Sequence, residues 1–589
     1  MQNYRVDIKS NKSNLVGAIN EIATLSTATD RALYNVFKKY PIDDGKMLSK
    51  SGLLLAYKKL KKQKLIKLTE SQEIAFLKNV RMKKVRTVSG VTPVTVLTKP
   101  FPCPGKCIFC PNDVRMPKSY LSDEPGAQRA EMNKFDPYFQ TFNRLMAFRN
   151  TGHPTDKVEL LVLGGTWSFY PESYQIWFIK RCFDAMHDFG ETNSTKMLTP
   201  NKELPFEESM LEKVYGVDLK DSYNKIVSKA LATKRIDAMN ESSTWEELFE
   251  VHEKNVDAKC RCVGLVIETR PDEITKAEVL KIRRLGATKV QIGIQSMDDT
   301  VLKKNKRGHN VAKTRRALCL LRQAGFKIHA HWMPNLYGSS PEKDIEDFKK
   351  LFSDNSIRPD ELKIYPCSLI ESAELMKYYK DGSWKPYTHE ELLNVLVNAL
   401  PLTPRYCRLT RVIRDIPSTD IVAGNKMTNF RQIAEKYLSK HKIKLEDIRS
   451  REIKRQNVSI KDLKLRVTTY STSVSKEYFL EYITKTDKIA AFLRLSVPTK
   501  PTFVAELKNC TVIREVHVYG QSLNIGESKA GKAQHSGLGK ALIAKAKEIS
   551  AEEGFRRVGV ISAIGTRGYY KKLGFELSTL YQVCDLQKK

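Results

Sequence analysis

The chain has 589 residues, of which 41% are hydrophobic, and it carries a formal net charge of +33 at pH 7 with a pI near 9.5. This length predicts about three or four domains with real cores, and the positive charge predicts a polyanionic partner, above all nucleic acid. The 11 cysteines show no secreted disulfide pattern, the first residues form no apolar signal segment, and no run approaches the roughly 20 apolar residues that span a bilayer. We therefore expect a protein of the reducing cytoplasm that has no contact with a membrane.

The first segment, residues 1–84, is predicted to be a small basic helical domain. Apolar residues recur at helical spacing in 14–22 and 53–60. Residues 1–100 contain 20 Lys and Arg against 7 Asp and Glu, and the lysine-rich run 58–64 gives one helix face a strong positive field. Contact with a phosphate backbone and an ordinary exposed helix both remain open for this segment.

Residues 85–395 follow a repeated pattern of strand, turn and helix. The pattern predicts a partial parallel (β/α) barrel with its chemistry at the carboxyl ends of the strands. A polar, charged and largely helical insertion at about residues 188–258 interrupts the repeat and contains no motif that we can interpret. The predicted strands of this region are 158–163, 262–268, 289–295, 327–333 and 361–365.

Three cysteines, Cys103, Cys107 and Cys110, lie in a Pro/Gly-rich loop directly after the β-like run 91–97. Three thiolates can hold three irons of a [4Fe-4S] cubane, whose fourth iron stays open to a small ligand, whereas structural zinc normally takes four protein ligands. The alternative is three unrelated buried thiols. The Cys-x3-Cys-x2-Cys spacing resembles the signature of radical S-adenosylmethionine (SAM) enzymes, and this likeness implies reductive radical chemistry.

Gly164, Gly165 and Thr166 directly follow the predicted strand 158–163. Glycines at this place allow a ligand to approach the backbone closely, although a purely structural turn has the same appearance. Together with the cysteine triplet, these residues resemble the Gly-Gly motif that holds the methionyl end of SAM in the same enzymes.

Other polar side chains at strand ends give weaker signals. Glu268 to Asp272 and Gln295 to Ser296 offer polar groups to the barrel mouth. His329 and His331 alternate on one strand; a role inside the barrel or in substrate positioning is favoured over metal binding, because no third ligand is evident. A second metal site built from Cys260, Cys262, Cys367 and Cys407 remains an open alternative.

Residues 396–460 are predicted to be a basic connector, and residues 461–589 a second α/β domain. In the latter, the strand-like run 511–519 is followed by a polar loop and by a Gly-x-Gly turn that opens a helix. Such a turn directs free N–H groups and the positive end of the helix dipole at an anion, here a pyrophosphate. The turn resembles the acetyl-coenzyme A loop of the Gcn5-related N-acetyltransferase (GNAT) fold, and residues 557–561 and 568–575 complete the profile of that fold.

The combination of the two regions resembles the catalytic subunit of Elongator, in its stand-alone form, over about residues 80–589. Two positions depart from that family: Asn335 stands where it commonly has Asp, and Leu445 where many members have Cys. The resemblance implies that Cys103, Cys107 and Cys110 bind a [4Fe-4S] cluster, that Gly164, Gly165 and Thr166 bind SAM, that Lys157 and Tyr570 are catalytic, and that acetyl-coenzyme A is bound by Lys157, Glu515, Val516, His517, Val518, Gln534, Gly537, Leu538, Gly539, Lys540 and Tyr570.

The resemblance also implies a reaction. A radical derived from SAM takes a hydrogen atom from the acetyl methyl group of acetyl-coenzyme A, the carbon radical adds to C5 of uridine 34 in the tRNA anticodon loop, and thioester hydrolysis leaves a carboxymethyl group. Basic patches in residues 1–100 and 440–455 would hold the tRNA body.

Two other functions remain open: a protein lysine acetyltransferase with a mainly structural iron–sulfur domain, and a non-catalytic tRNA scaffold. The sequence identifies neither the electron donor nor whether the chain forms a homodimer or joins Elongator-like subunits.

Overall fold

The computed structural model describes residues 7–25, 28–42, 47–82, 89–201, 221–233, 241–414, 416–453, 458–519 and 537–587, together with residues 45, 87 and 204. No helix within these ranges is both long enough and apolar enough to cross a membrane. The described residues form four amino-terminal helices, a seven-stranded parallel sheet and a mixed seven-stranded sheet.

The amino-terminal helices pack around a core of their own, which includes Leu15, Leu53 and Phe76. The side chains at the helix starts explain where three of them begin, because Thr29, Ser49 and Thr69 each accept a hydrogen bond from the first turn. The helices are Lys12–Thr24, Asp30–Lys39, Lys50–Lys62 and Glu70–Val80.

The lysine-rich run 58–64 does not present a uniform face. Lys59, Lys62 and Lys64 are exposed. The ammonium group of Lys58 instead donates to the carbonyl oxygen of Arg149 at 2.6 Å, and burial lowers its pKa to about 8. Lys58 therefore attaches the helices to the neighbouring barrel, while the other lysines face solvent.

Seven strands form the first sheet, and every neighbouring pair is parallel. They are β1 (Thr92–Leu97), β2 (Lys157–Leu163), β3 (Arg261–Thr269), β4 (Lys289–Gln295), β5 (Lys327–Trp332), β6 (Glu361–Ile364) and, beyond the short β7 (Leu369–Ile370), β8 (Arg408–Val412); β7 pairs separately with β9 (Ile421–Ala423). Their order, β1–β2–β3–β4–β5–β6–β8, follows the chain and confirms the predicted partial barrel of parallel strands.

Strand β8 lies inside the segment 396–460, for which the sequence predicted a connector. The parallel sheet therefore continues beyond residue 395. The strand is difficult to recognise because Arg408, Thr410 and Arg411 interrupt its apolar residues, and these three side chains line an internal cavity instead of a dry core.

Helices cover the outside of the parallel sheet and supply most of the apolar core with it. Three of them fall wholly or partly within the insertion that was predicted at 188–258. The helices of this region are Pro125–Met132, Pro137–Asn150, Glu172–Glu191, Tyr223–Thr233, Trp245–Val256, Lys276–Arg284, Asp299–Lys304, Val311–Gln323, Pro341–Ser353, Leu375–Lys380, His389–Ala399, Phe430–Lys440 and Ile448–Arg451.

The second sheet contains β10 (Lys464–Ser471), β11 (Ser475–Ile483), β12 (Ile489–Pro498), β13 (Cys510–Val518), β14 (Arg557–Val560), β15 (Glu576–Leu577) and β16 (Gln582–Asp585), in the order β10–β11–β12–β13–β14–β16–β15. All neighbours are antiparallel except β13 and β14. These two parallel strands pair only as far as Ile513 and then separate. Helix Leu538–Glu552 packs against β12, β13 and β14, and helix Arg567–Lys571 packs against β15.

Buried ion pairs join the two sheets. Asp360, which precedes β6, accepts two hydrogen bonds from the guanidinium of Arg514 on β13, at 2.6 and 2.8 Å. Arg514 also binds Glu477 at 2.7 Å, and Lys327 at the start of β5 binds Glu515 at 2.6 Å. The second sheet therefore packs against the amino ends of the barrel strands, opposite the edge at which parallel strands carry their chemistry.

Candidate active site

The cysteine loop lies at the carboxyl edge of the parallel sheet, directly after β1. Cys103, Cys107 and Cys110 are all buried, with 8–9% of their surface exposed. The sulfur of Cys103 is 3.4 Å from the hydroxyl oxygen of Thr166, which follows β2. The sulfur of Cys110 is 3.6 Å from the hydroxyl oxygen of Ser119.

Two arginines from segments that follow other strands converge on Cys107. Arg307 donates to its sulfur at 3.1 Å, and Arg270, which follows β3, donates at 3.6 Å. A hydrogen bond from Cys110 and these two positive charges hold the pKa of Cys107 well below its usual range, although burial opposes them. Cys107 is thereby kept as a thiolate, the form that binds metals.

The insertion contributes to the same loop. The side chain of Asn224, on helix Tyr223–Thr233, accepts from the N–H of Cys103 at 3.0 Å and donates to its carbonyl oxygen at 2.7 Å. The hydroxyl group of Tyr223 donates to the carbonyl oxygen of Met116 at 2.8 Å. Sequence reasoning missed these contacts because 121 residues separate Asn224 from Cys103 and no motif marks the insertion.

The donor set fits a cluster better than a single ion. Among the described residues, no group of three or more His, Cys, Asp and Glu side chains is arranged to hold one metal ion. A cubane differs from such a site because each of its thiolates binds a different iron. Three buried cysteines on one short loop, one of them stabilised as a thiolate, fit that requirement.

The predicted Gly-Gly motif lies beside the cysteine loop, at the carboxyl end of β2. Gly164 has a φ of +139°, and a Cβ atom there would lie 2.0 Å from the hydroxyl oxygen of Thr98. A Cβ on Gly165 would lie 3.0 Å from the hydroxyl of Tyr170. Gly164 therefore requires glycine, Gly165 is tightly packed, and the neighbouring Thr166 brings this backbone next to Cys103.

A cavity of about 3100 Å³ runs from the cysteine loop through the barrel to the second sheet. Typical ligand pockets measure about 300–1,000 Å³, so this one has space for several ligands at once. Cys110 lines one end of the cavity, and Gly537 and Tyr570 line the other. The predicted residues that line it are Cys110, Lys157, Glu515, Val516, His517, Val518, Gly537, Gly539, Lys540 and Tyr570.

A polar cluster occupies the barrel mouth next to the cysteine loop. The Nε2 atom of His331 is 3.1 Å from Oε1 of Gln291, and the same oxygen accepts a hydrogen bond from the ammonium group of Lys363. The Nδ1 atom of His331 is 3.8 Å from Oε1 of Glu268. His329, two residues earlier on the same strand, contacts Thr410 and Glu361 instead.

The other end of the cavity contains the Gly-x-Gly turn. Gly537 precedes helix Leu538–Glu552 with a φ of +80°, which favours glycine, and Leu538 opens the helix. A Cβ on Gly539 would lie 3.0 Å from the hydroxyl of Tyr569 and 3.7 Å from Cγ2 of Val518, so the helix approaches β13 closely. Gln534 lies outside the described residues.

Lys157 and Tyr570 lie at this same end. Lys157 is the first residue of β2 and pairs with Arg261 at the start of β3. Gly565, which follows β14 of the second sheet, packs against Arg261. Burial raises the pKa of the Tyr570 hydroxyl above its usual value, so it stays protonated. The side chain of Glu515 is engaged by Lys327 and Arg494, which leaves its backbone as the group able to contact a ligand.

Three further sequence expectations can be compared with the structure. Asn335 follows the carboxyl end of β5 but does not line the cavity, and its backbone N–H donates to Asp344 at 2.6 Å. Leu445 packs against the apolar core and also lines the cavity. The cysteines considered for a second metal site do not converge, because Cys260 and Cys262 lie at the amino end of the sheet, whereas Cys367 follows the carboxyl end of β6.

Comparisons with known proteins agree with this geometry. Residues 236–352 match the Radical SAM superfamily, and residues 359–440 match the Radical SAM C-terminal domain. The chain is 38% identical over 524 residues to the tRNA uridine(34) acetyltransferase of Methanocaldococcus jannaschii, covering 86% of this chain and 87% of that protein. It is 31% identical over 530 residues to Elongator complex protein 3 of Danio rerio, covering 87% of each. The chain belongs to the Elongator complex protein 3 family.

A solved structure of this family has the same fold. The archaeal Methanocaldococcus infernus Elp3 with an N-terminus deletion superimposes with a TM-score of 0.66 at 33% identity, covering 84% of this chain and 99% of that one. The family resemblance inferred from the motifs is thus confirmed. Membership of the radical SAM superfamily implies a [4Fe-4S] cluster and SAM, while the roles of individual residues stay predictions.

Proposed function

We propose that this chain modifies uridine 34 of tRNA, transferring a carboxymethyl group derived from acetyl-coenzyme A to C5 of the base. The observation that carries the proposal is the single cavity that begins at Cys110 and ends at Gly537 and Tyr570. A ligand that is anchored at one end of the cavity and extends along it can react with a ligand at the other end without release into solvent.

In this proposal Cys103, Cys107 and Cys110 would hold the cluster, and the backbone at Gly164 and Gly165 would hold the methionyl end of SAM. A SAM-bound [4Fe-4S] cluster supplies one-electron reductive chemistry strong enough to activate an inert methyl C–H bond. Arg270 and Arg307 keep Cys107 as a thiolate ligand.

Acetyl-coenzyme A would bind at the other end of the cavity. The GNAT-like features there are the separated parallel strands β13 and β14 and the glycine turn at the start of helix Leu538–Glu552, which directs its first N–H groups at a pyrophosphate. Lys157 supplies a positive charge, and the protonated Tyr570 hydroxyl can donate a hydrogen bond to the coenzyme.

The tRNA would approach the mouth of the cavity. Arg411, Arg431, Lys444 and Arg449, all in segment 396–460, line the cavity and form a basic rim suited to phosphate groups. The exposed lysines of the amino-terminal helices offer a second positive surface for phosphate groups. We accordingly propose a division into a tRNA-binding segment (1–84), a radical SAM core (85–395, continued by β8), a basic region (396–460) and an acetyltransferase-like domain (461–589), acting in the cytoplasm.

The test is anaerobic reconstitution with iron and sulfide, followed by tRNA, acetyl-coenzyme A, SAM and a reductant. We expect 5-carboxymethyluridine in the digested tRNA by mass spectrometry, and its absence from protein with verified cluster content would refute the proposal. Cys107→Ser is expected to lose product and retain tRNA binding. Cys319→Ser, which changes a cysteine that contacts Ser473 away from the cavity, is the matched control. Acetylated lysine formed on proteins without SAM would support the alternative acetyltransferase function.

A further inference from the structure

Glu268 and His331 face each other across the barrel mouth, and the roles proposed above leave both unused. Glu268 lies near the carboxyl end of β3 and His331 near the carboxyl end of β5, and both line the cavity. Their nearest polar atoms, Oε1 and Nδ1, are 3.8 Å apart. That separation is too long for a direct hydrogen bond, but one water molecule about 2.8 Å from each atom can bind both.

The hydrogen-bond network fixes which nitrogen of His331 carries the proton. An ammonium group only donates, so the Gln291 atom that Lys363 contacts is the amide oxygen. The same oxygen is 3.1 Å from Nε2 of His331, which must therefore donate. In the neutral imidazole, Nδ1 then carries the free lone pair, and it is Nδ1 that faces Glu268.

The charged surroundings keep the imidazole neutral. Burial lowers the pKa of His331 well below its usual value, and the positive charges of Lys363, Arg414 and Arg307, together with His329, act in the same direction. Burial raises the pKa of Glu268, while Lys363 and Arg414 oppose that change. Two phenols also face the pair, Tyr120 on the side of Glu268 and Tyr365 on the side of His331. The free lone pair on Nδ1, which faces the Glu268 carboxyl group, can accept a proton from water.

The position of the thioester decides what this pair can do. In the proposed function the acetyl methyl carbon reacts beside the cysteine loop, and the thioester carbonyl is bonded directly to that carbon. The thioester must therefore be hydrolysed at the barrel mouth as well. Lys157 and Tyr570 are too distant to act there, because the seven residues of β2 separate the two ends of the barrel by about 20 Å.

We propose that Glu268 and His331 hold and activate the water that hydrolyses the thioester after the carbon–carbon bond has formed, an inference that rests on the proposed function. The water oxygen bonds to the carbonyl carbon while Nδ1 of His331 takes a water proton. The carbon–sulfur bond then breaks, and the proton passes to the leaving thiolate. The products are a carboxymethyl group on the uridine and free coenzyme A, and no electron is exchanged.

The experiment uses the full chain, reconstituted as above, with Glu268→Gln and His331→Gln. Three products are quantified by mass spectrometry: 5′-deoxyadenosine, 5-carboxymethyluridine and a tRNA uridine that still carries coenzyme A through the thioester. We expect each variant to form 5′-deoxyadenosine, to accumulate the coenzyme A-linked uridine, and to form 5-carboxymethyluridine about 100-fold more slowly than the wild type. His187→Gln, which removes an imidazole that contacts Asn255 outside the cavity, is the matched control.

A pH profile separates catalysis from a structural role. In the wild type the hydrolysis rate should fall as acid protonates His331, and this limb should disappear in His331→Gln. Wild-type hydrolysis rates in both variants would overturn this inference and leave the proposed function intact. Equal loss of 5′-deoxyadenosine and product would also overturn it, because that result would place the pair in the radical step. Absence of both compounds from the wild type would instead refute the proposed function.

Discussion

Replacing Asn224 with alanine removes both hydrogen bonds that hold the Cys103 backbone to helix Tyr223–Thr233. An intramolecular hydrogen bond contributes about 0.5–1.5 kcal/mol, so the two together contribute about 1–3 kcal/mol to the arrangement in which Cys103 can bind iron. Since about 1.4 kcal/mol corresponds to a factor of ten, we expect retention of the cluster to weaken by about 5- to 140-fold.

The assay measures iron and sulfide per chain after anaerobic reconstitution, and then the rate at which an iron chelator removes the metal. Asn224→Asp gives an intermediate test, because its oxygen can still accept from the Cys103 N–H but nothing donates to the carbonyl. Asn394→Ala is the control, since the side chain of this exposed asparagine accepts a hydrogen bond from Asn398 on the same helix. If Asn224→Ala retains iron as well as Asn394→Ala, the loop holds its own geometry and the reasoning is wrong.

Asp360→Asn removes a buried charge that faces Arg514, so we expect urea unfolding to require about 3–5 kcal/mol less; an unchanged midpoint would contradict a role for the pair at the interface. In the wild type, burial raises the pKa of Asp360, but Arg514 and Arg494 outweigh it and hold the pKa below the ordinary 3.8. The stabilisation should thus be complete above about pH 4 and be lost as the pH falls further, a dependence that the variant should lack. Gly164→Ala would place a Cβ 2.0 Å from Thr98, so we expect it to weaken SAM binding measured by calorimetry. Gly382→Ala is the control, because φ is also positive there but the space around it is open. Equal affinities of the two variants for SAM would show that the Gly164 backbone does not contact SAM.

Several parts of the fold and the site could be predicted because their signals are local. The spacing of Cys103, Cys107 and Cys110, the Gly164–Gly165 turn directly after a strand, and the Gly537–Gly539 turn before a helix all involve residues within a few positions of each other. The alternation of strands and helices predicted the parallel barrel for the same reason, since each strand and helix carries its own hydrophobic pattern. Strand β8 was missed because three polar residues that line the cavity obscure that pattern.

The contacts that make these motifs into a site depend on residues distant in sequence. Asn224 reaches Cys103 from the insertion, Arg307 reaches Cys107 from beyond β4, and Glu268 faces His331 from two strands away. The Glu515 side chain, which lines the cavity, is held in place by Lys327 and Arg494 from other strands.

The sequence by itself determined the family, the cluster loop and the two cofactor motifs, because backbone turns and ligand spacing are encoded by neighbouring residues. Only the tertiary structure decided that Cys110 and the Gly537–Gly539 turn line one cavity and that the side chains of Glu268 and His331 meet at its mouth. The physical reason is that the order of the strands in the sheet brings these side chains together, and no local pattern records that order.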